Sequence, residues 1–389
     1  MLKLPNKPSE SDQSSCTTLS SLPIMQIDPA QMSQTDSVDI YRTIAGIAGN
    51  VLEWYDFALF GFFGDVIADV FFPKQSGHAA LIESYAVFGA AFIVRPLGGL
   101  IIGYIGDKYG RKKALEISIF LMAIPTFVMG LLPSYARIGP LAIVLLGIVR
   151  ILQGLSVGGQ LVSSLVFTVE CRPKDKWGWY GSWVFASANF GTFLGGLVAF
   201  LVRNRLDNDA LLSWGWRVPF LAGIVVGFAG YYLKYYCDDH DFPVQQGDAV
   251  AKNPITTAFA RENRRSLLSA SLVPMLWAGG FYTTYVWMAV FMEDLLENPI
   301  QNAFAINSVS LLFLCLWFPA IGKISDKLGR VQVMTVGGVA MGLGSPLFMQ
   351  IIGKGQSFSA FIAQTCMGFS LSLWGSPSKC FNPGMKKLS

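Results

Sequence analysis

The chain reads Gly103-Tyr-Ile-Gly-Asp107-Lys108-Tyr-Gly110-Arg111-Lys112-Lys113, and later Gly322-Lys-Ile-Ser-Asp326-Lys327-Leu-Gly329-Arg330. Each copy fills a short polar gap between two long apolar runs. A motif that recurs at such gaps in two distant parts of a chain indicates a protein built from two similar membrane halves. A duplicated membrane bundle favours a transporter over an enzyme.

Composition indicates that lipid is the solvent. Of 389 residues, 52% are hydrophobic and 14% are charged, which is too apolar for soluble domains. The net charge of +4 is small, so we expect no nucleic-acid binding. Six scattered cysteines without a CxxC pair predict neither disulfides nor a metal site, and His78 and His240 fall in predicted loops. We therefore expect no metal and no cofactor.

Ten apolar stretches recur, each near or above the roughly 20 residues that cross a bilayer. Backbone groups in lipid must bond internally, so each stretch is predicted to be a helix. The predicted spans are 42–70, 78–105, 114–133, 139–169, 178–203, 214–237, 266–296, 302–323, 331–353 and 357–376.

These stretches predict an all-α membrane bundle with two unequal halves. A six-helix N-terminal half covers 39–237, a connector loop covers 238–265, and an incomplete four-helix C-terminal half covers 266–376. Residues 1–38 are polar and predict a disordered tail. Residues 377–389 leave the membrane-helix pattern and are interpreted as a divergent tail, from truncation or a shifted reading frame.

The positive charges predict the orientation. Most of the 29 Lys and Arg residues fall on the side of the termini and of the 2–3, 4–5, 6–7 and 8–9 loops. The opposite side holds only Lys74, Arg137, Arg203, Arg205 and Lys354. The positive-inside rule then places both termini in the cytoplasm.

The repeated motif suits a tight cytoplasmic turn. Its glycines allow the backbone to reverse, and Asp107 can cap the next helix or pair with nearby cations. Such a turn can lock two helices in one transport state, or it can serve only as a topology signal. The predicted gate residues are Gly103, Asp107, Lys108, Gly110, Arg111, Lys112, Asp326, Gly329 and Arg330.

The first helix carries three polar residues within its apolar run. Asn50, Glu53 and Asp56 follow at i, i+3 and i+6, on one flank of the helix. An ionisable group inside a membrane is costly and usually faces a cavity or a partner on a transport route. Burial favours the neutral carboxyl, so Glu53 or Asp56 can take up and release a proton. The alternative is a structural ion pair or a position near the membrane surface.

Two arginines are candidate partners for these carboxylates. Arg95 precedes Pro96, which removes a helix hydrogen bond. Its guanidinium can pair with Glu53 or Asp56, or clamp a substrate carboxylate. Arg150 lies in the fourth predicted helix, where a role in coupling and a purely structural pair both remain open.

The fourth helix also carries amides and a glycine stripe. Gln153 and Gln160 are one heptad apart and share a face, while Gly154 and Gly158 predict tight helix packing. The predicted substrate or proton site comprises Asn50, Glu53, Asp56, Arg95, Arg150, Gln153 and Gln160.

Aromatic residues recur in the seventh predicted helix. Trp277, Tyr282, Tyr285 and Trp287 can line the opposite wall of a cavity and suit quaternary ammonium groups. Trp and Tyr also collect at membrane interfaces for unspecific reasons. No Gly-x-x-x-x-Gly-Lys-Ser/Thr motif occurs, so we expect an ion gradient or the substrate gradient to supply the energy.

These features resemble the metabolite:proton symporter family of the major facilitator superfamily, which includes proline/betaine, α-ketoglutarate, shikimate and citrate transporters. The resemblance covers about residues 40–375. It rests on the first motif copy and on Glu53-Trp-Tyr-Asp56-Phe57, Arg95-Pro-Leu-Gly-Gly99, Gln153-Gly-Leu-Ser-Val-Gly-Gly159, Gly181-Ser-Trp183 and Trp214-Gly-Trp-Arg-Val-Pro-Phe220.

The resemblance implies twelve helices in two halves, alternating access and proton-coupled uptake. Asp107 matches the superfamily's gate aspartate, and Arg150 matches its helix-four arginine of proton coupling. Gln160 stands where the family commonly has Glu, so coupling must rely on Glu53 or Asp56, or be absent. Roughly two helices of the family pattern are missing after Asp326.

We therefore expect a monomeric, multi-pass protein of the plasma membrane that moves a small polar metabolite with protons. Its solute is an organic acid or a zwitterionic osmolyte. The alternative is a truncated, non-transporting or sensor-like membrane protein. An intramembrane enzyme would need a nucleophile with a base, or metal ligands, at one depth, and the sequence offers no such set.

Overall fold

The structure is a computed structural model that describes residues 29–73, 79–170, 172–225, 228, 259–300 and 302–378. The chain divides into two units, Met1–Tyr41 and Arg42–Ser389. In the first unit, the described residues are helical. The contacts and the site described below lie in the second unit.

Helices lie on all ten predicted stretches, and the described residues contain no strand, which confirms the all-α membrane bundle. Within the described ranges, six helical segments are long and apolar enough to cross a bilayer, two of them in the C-terminal half. The N-terminal half contains α1 (Pro29–Phe62), α2 (Gly64–Phe71), α3 (Ala79–Tyr109), α4 (Arg111–Leu131), α5 (Tyr135–Ile138), α6 (Leu141–Glu170), α7 (Trp177–Arg205), α8 (Asn208–Ala210) and α9 (Arg217–Leu221). The C-terminal half contains α10 (Arg264–Phe281), α11 (Met288–Val290), α12 (Ala303–Leu328), α13 (Arg330–Ile352) and α14 (Ser357–Ser378).

The predicted boundaries differ from the structure in a few places. α1 begins at Pro29, inside the predicted tail, and proline suits the first position of a helix. α10 begins at Arg264, within the predicted connector, and α14 continues to Ser378. The rest of the tail (1–28), most of the connector (238–258) and residues 379–389 lie outside the described residues.

Glycines bring α3 and α6 into backbone contact. A Cβ atom at Gly154 would collide with the carbonyl of Ala91, and one at Gly158 with the carbonyl of Arg95. This contact confirms the packing role predicted for the glycine stripe. It also fixes the part of α3 that carries Arg95.

The two halves meet where α7 packs along α12. Gly178 and Gly322 face each other so closely that neither position has room for a side chain. The two motif copies make the same turn, since Gly110 and Gly329 both have φ of 98°, a value that favours glycine. Both turns lie at one end of the bundle, which we call the motif end.

Candidate substrate and proton site

Asp56 and Arg150 form an ion pair inside the N-terminal half. Arg150 Nη1 lies 2.7 Å from Asp56 Oδ2, and both side chains are 0% exposed. The other carboxylate oxygen accepts from Gln153 Nε2 at 2.9 Å and from the Thr126 hydroxyl at 3.1 Å. Both oxygens of Asp56 are therefore hydrogen-bonded to side chains of α4 and α6.

Apolar and aromatic groups enclose this pair. The Arg150 guanidinium lies 3.8 Å from the centre of the Phe60 ring, and its Nη2 contacts the Met129 sulfur at 3.2 Å. Such surroundings strengthen the attraction between the charges while making either charge costly alone. Arg150 therefore pairs with Asp56, and Arg95 does not.

Glu53, one turn earlier on α1, has a different environment. Its side chain is 1% exposed, and Oε2 has no hydrogen-bond partner among the described residues. Arg95 is the cation with which Glu53 interacts electrostatically. The Arg95 guanidinium is itself held over Phe92 at 3.8 Å and over Phe57 at 4.4 Å.

Glu53 and Arg95 face the C-terminal half. Arg95 also interacts with the hydroxyl of Tyr282, which begins the π-helical segment Tyr282–Trp287 after α10. Beside it, Trp54 packs edge-on against Phe281 with ring centres 5.7 Å apart. A carboxylate, a guanidinium and a phenol from both halves therefore meet at one place.

The remaining predicted site residues lie on the motif-end side of Glu53. Asn50 donates from Nδ2 to the Ser164 hydroxyl at 2.8 Å. Gln160 Oε1 accepts from Ser118 and from Ser156, each at 3.1 Å. All seven predicted site residues therefore lie within the N-terminal half, but in distinct groups with different partners.

The second motif copy joins the halves. Asp326 accepts from the backbone N–H groups of Gly178 and Trp179 at 2.8 Å each, at the start of α7. A helix N-terminus carries partial positive charge, so a carboxylate is favoured there. Arg330 donates to the carbonyl of Lys174 at 2.7 Å and lies 3.4 Å from Asp326.

The first motif copy has contacts within its own segment. Asp107 pairs with Arg111 at 2.7 Å, with the two side chains 40% and 30% exposed. Lys108 donates to the Tyr104 hydroxyl at 3.0 Å. Gly103 lies inside α3 with open space beside it, so the prediction that it shapes the turn is wrong.

The aromatic residues of the seventh predicted helix have separate roles. Trp277 and Tyr285 are buried in an apolar cluster that joins α7 to the C-terminal half, and Trp287 stacks on Phe291 at 4.7 Å. Only Tyr282 among the four interacts with a predicted charged site residue. No group of three or more metal-ligating side chains occurs among the described residues.

Sequence reasoning missed several polar neighbours. Thr126, Ser118, Ser156, Ser164 and Thr168 are all buried. The signal was present in α6, where polar residues recur every three or four positions from Arg150 onward.

Comparisons with known proteins agree with this architecture. The family model described as "Sugar (and other) transporter" matches residues 42–242. The shikimate transporter of Escherichia coli (strain K12) is 31% identical over 319 residues, which cover 79% of this chain and 72% of that protein. The proline/betaine transporter of Salmonella typhimurium (strain LT2) is 33% identical over 318 residues, covering 79% and 64%. The chain thus spans less than two thirds of the proline/betaine transporter's length.

A solved structure shows the same fold. The proton:xylose symporter XylE bound to 6-bromo-6-deoxy-D-glucose matches with a TM-score of 0.70 and 17% identity, covering 89% of this chain and 82% of that one. The family match and the similarity to the shikimate transporter identify the family as well as the fold. This chain belongs to the metabolite:proton symporter family of the major facilitator superfamily.

Proposed function

We propose that the chain is a secondary active transporter that moves a small carboxylate-bearing metabolite together with protons. The observation that carries this proposal is Glu53, a buried carboxyl group at the place where the two halves meet, with one oxygen that has no hydrogen-bond partner in the described part of the chain. Such a group is neutral when protonated and attracts a cation when ionised. It can therefore link proton binding to the state of Arg95.

Arg95 supplies the solute-binding half of this link. When Glu53 is ionised, it balances the Arg95 charge; when Glu53 is protonated, the guanidinium is free to bind a carboxylate with two parallel hydrogen bonds. Relatives named for proline/betaine, α-ketoglutarate, citrate and shikimate support a solute with a carboxylate. The aromatic rings of Trp54 and Phe281 nearby suit the cationic end of a zwitterion.

The contacts between the halves support transport by alternating access. Asp326 closes the motif end by binding the start of α7, and its release would open that end. In our proposal the chain lies in the plasma membrane, with the motif end and both termini on the cytoplasmic side. It acts as a monomer and is not an enzyme. The basic residues of the 2–3 and 8–9 turns support this orientation.

The test is uptake by proteoliposomes that contain the purified chain. Labelled proline, glycine betaine, citrate and α-ketoglutarate are offered with and without an inward proton gradient, and a protonophore serves as control. We expect at least one solute to accumulate only with the gradient. Flux that ignores the gradient would contradict symport, and no flux of any solute would contradict transport itself.

A further inference from the structure

A line of buried polar side chains begins at Glu53 on α1 and continues along one face of α6 toward the motif end. Gln160, Ser164 and Thr168 follow at four-residue intervals, so they share this face, and all three are buried. Asn50 on α1 joins them through its hydrogen bond to Ser164. Gln160 Nε2 lies against Gly49, next to Asn50, so the two helices contribute to one continuous line.

Four atoms on this line have no protein partner among the described residues. They are Glu53 Oε2, Asn50 Oδ1, Gln160 Nε2 and Thr168 Oγ1. Buried polar groups are almost always hydrogen-bonded, and several unpaired ones together are where ordered water binds. These four include acceptors, a donor and a hydroxyl that does both, which is the mixture that a chain of water molecules needs.

The spacing also suits water. Consecutive members of the α6 line are about 6 Å apart along the axis, at about 1.5 Å per residue. One water molecule bridges a gap of that size between two polar groups. The line ends at Thr168, two residues before α6 ends at Glu170. It therefore connects the centre of the N-terminal half with the motif end.

We propose that this line is a hydrated proton path, separate from the route of the solute. Glu53 gives its proton to the first water, each water passes one proton on, and the protein side chains return unchanged. The solute moves between the halves, past Arg95 and Tyr282, and never enters this line. The proposal rests on the proposed proton symport.

Thr168→Val tests the path with the smallest change in shape. In proteoliposomes, a trapped pH dye reports proton uptake driven by whichever of proline, glycine betaine, citrate or α-ketoglutarate the wild type transports. Counterflow of the same labelled solute reports exchange without net proton movement. We expect proton uptake to fall about fivefold, the effect of one lost hydrogen bond, while exchange stays at the wild-type rate.

The matched control is Ser372→Ala, at a buried serine of α14 whose hydroxyl bonds the carbonyl of Phe369 in its own helix. It should leave both rates unchanged. If T168V took up protons at the wild-type rate and unfolded at a higher temperature, the line would contain no water, and the proposed proton path would be overturned. Loss of exchange together with proton uptake in folded T168V would show that solute and proton share one route.

A second measurement tests the proton path in protein that is not transporting solute. The infrared carboxyl stretch of protonated Glu53, identified by its loss in Glu53→Gln, shifts when deuterium replaces the proton. We expect this exchange to be about fivefold slower in T168V than in the wild type. Equal deuterium-exchange rates in T168V and the wild type would overturn the proton path. Failure of the wild type to move any solute would contradict only the proposed symport.

Discussion

Glu53 and Asp56 lie one turn apart on the same helix, and both are shielded from solvent, yet their surroundings are opposite. Asp56 has an arginine, an amide and a hydroxyl bonded to its two oxygens. Glu53 has one oxygen that bonds to none of the described residues, and it faces Arg95 at the junction of the halves. A chain that buries two carboxyl groups so differently has two tasks for them.

The difference assigns those tasks. A carboxyl group with hydrogen bonds to both oxygens is held in one geometry, which suits a structural link between α1, α4 and α6. A buried carboxyl group without such partners changes charge state more readily, which suits proton exchange. Our hypothesis is that Asp56 stabilises the half and Glu53 carries the coupling.

The largest expected effect is on stability, at Arg150→Met. Removing the guanidinium leaves the buried Asp56 charge uncompensated, which costs about 3–5 kcal/mol of unfolding free energy. Tryptophan fluorescence of the detergent-solubilised protein during denaturation measures this loss. The double variant Asp56→Asn with Arg150→Met should recover most of it. If Glu53→Gln destabilised as much as R150M, the contrast between the two carboxyl groups would disappear.

Asp326 extends the comparison to a second fully partnered carboxylate. Asp326→Ala removes two charge-assisted hydrogen bonds to the start of α7 and should cost about 1.5–3 kcal/mol in the same measurement. Asp107→Ala is the matched control, since the exposed pair with Arg111 contributes at most about 1 kcal/mol. Equal losses at the two positions would refute the idea that Asp326 contributes more to stability than Asp107.

The smallest effect is expected at Tyr282→Phe. This variant tests whether the solute binds beside Glu53 and Arg95. Losing the hydroxyl leaves Arg95 less well oriented, so half-saturation of solute exchange should need about fivefold more solute. Tyr285→Phe is the control, because its hydroxyl faces the carbonyl of Ser310, 3.4 Å away in the C-terminal half. If the half-saturating solute concentration changed in Y285F but not in Y282F, the solute would bind away from Arg95.

Sequence patterns predicted the architecture because hydrophobic length dictates it. Helices lie on all ten apolar stretches, since a bilayer leaves the backbone no other arrangement. The π-helical turns at Leu211–Gly215, Tyr282–Trp287 and Phe291–Leu295 were not predicted. Such turns depend on what packs around a helix, and residue type does not reveal it.

The site could be predicted only as a set of residue types. The spacing of Asn50, Glu53 and Asp56 placed three polar groups on one helix flank, but the partner of each depends on how α3 and α6 are rotated about their axes. Pairing of Arg150 with Asp56, and of Arg95 with Glu53, needed coordinates. The cap that Asp326 places on α7 joins positions far apart in the chain, which no local pattern reveals.

The most direct test of the central hypothesis compares Glu53→Gln with the wild type in proteoliposomes under an inward proton gradient. Glu116→Gln, at another buried glutamate, which pairs with Lys113 at 3.2 Å, is the matched control. We predict that the wild type and E116Q accumulate solute above its outside concentration, whereas E53Q still exchanges solute but only equilibrates it. Gradient-driven accumulation by E53Q would contradict the assignment of Glu53 as the coupling group.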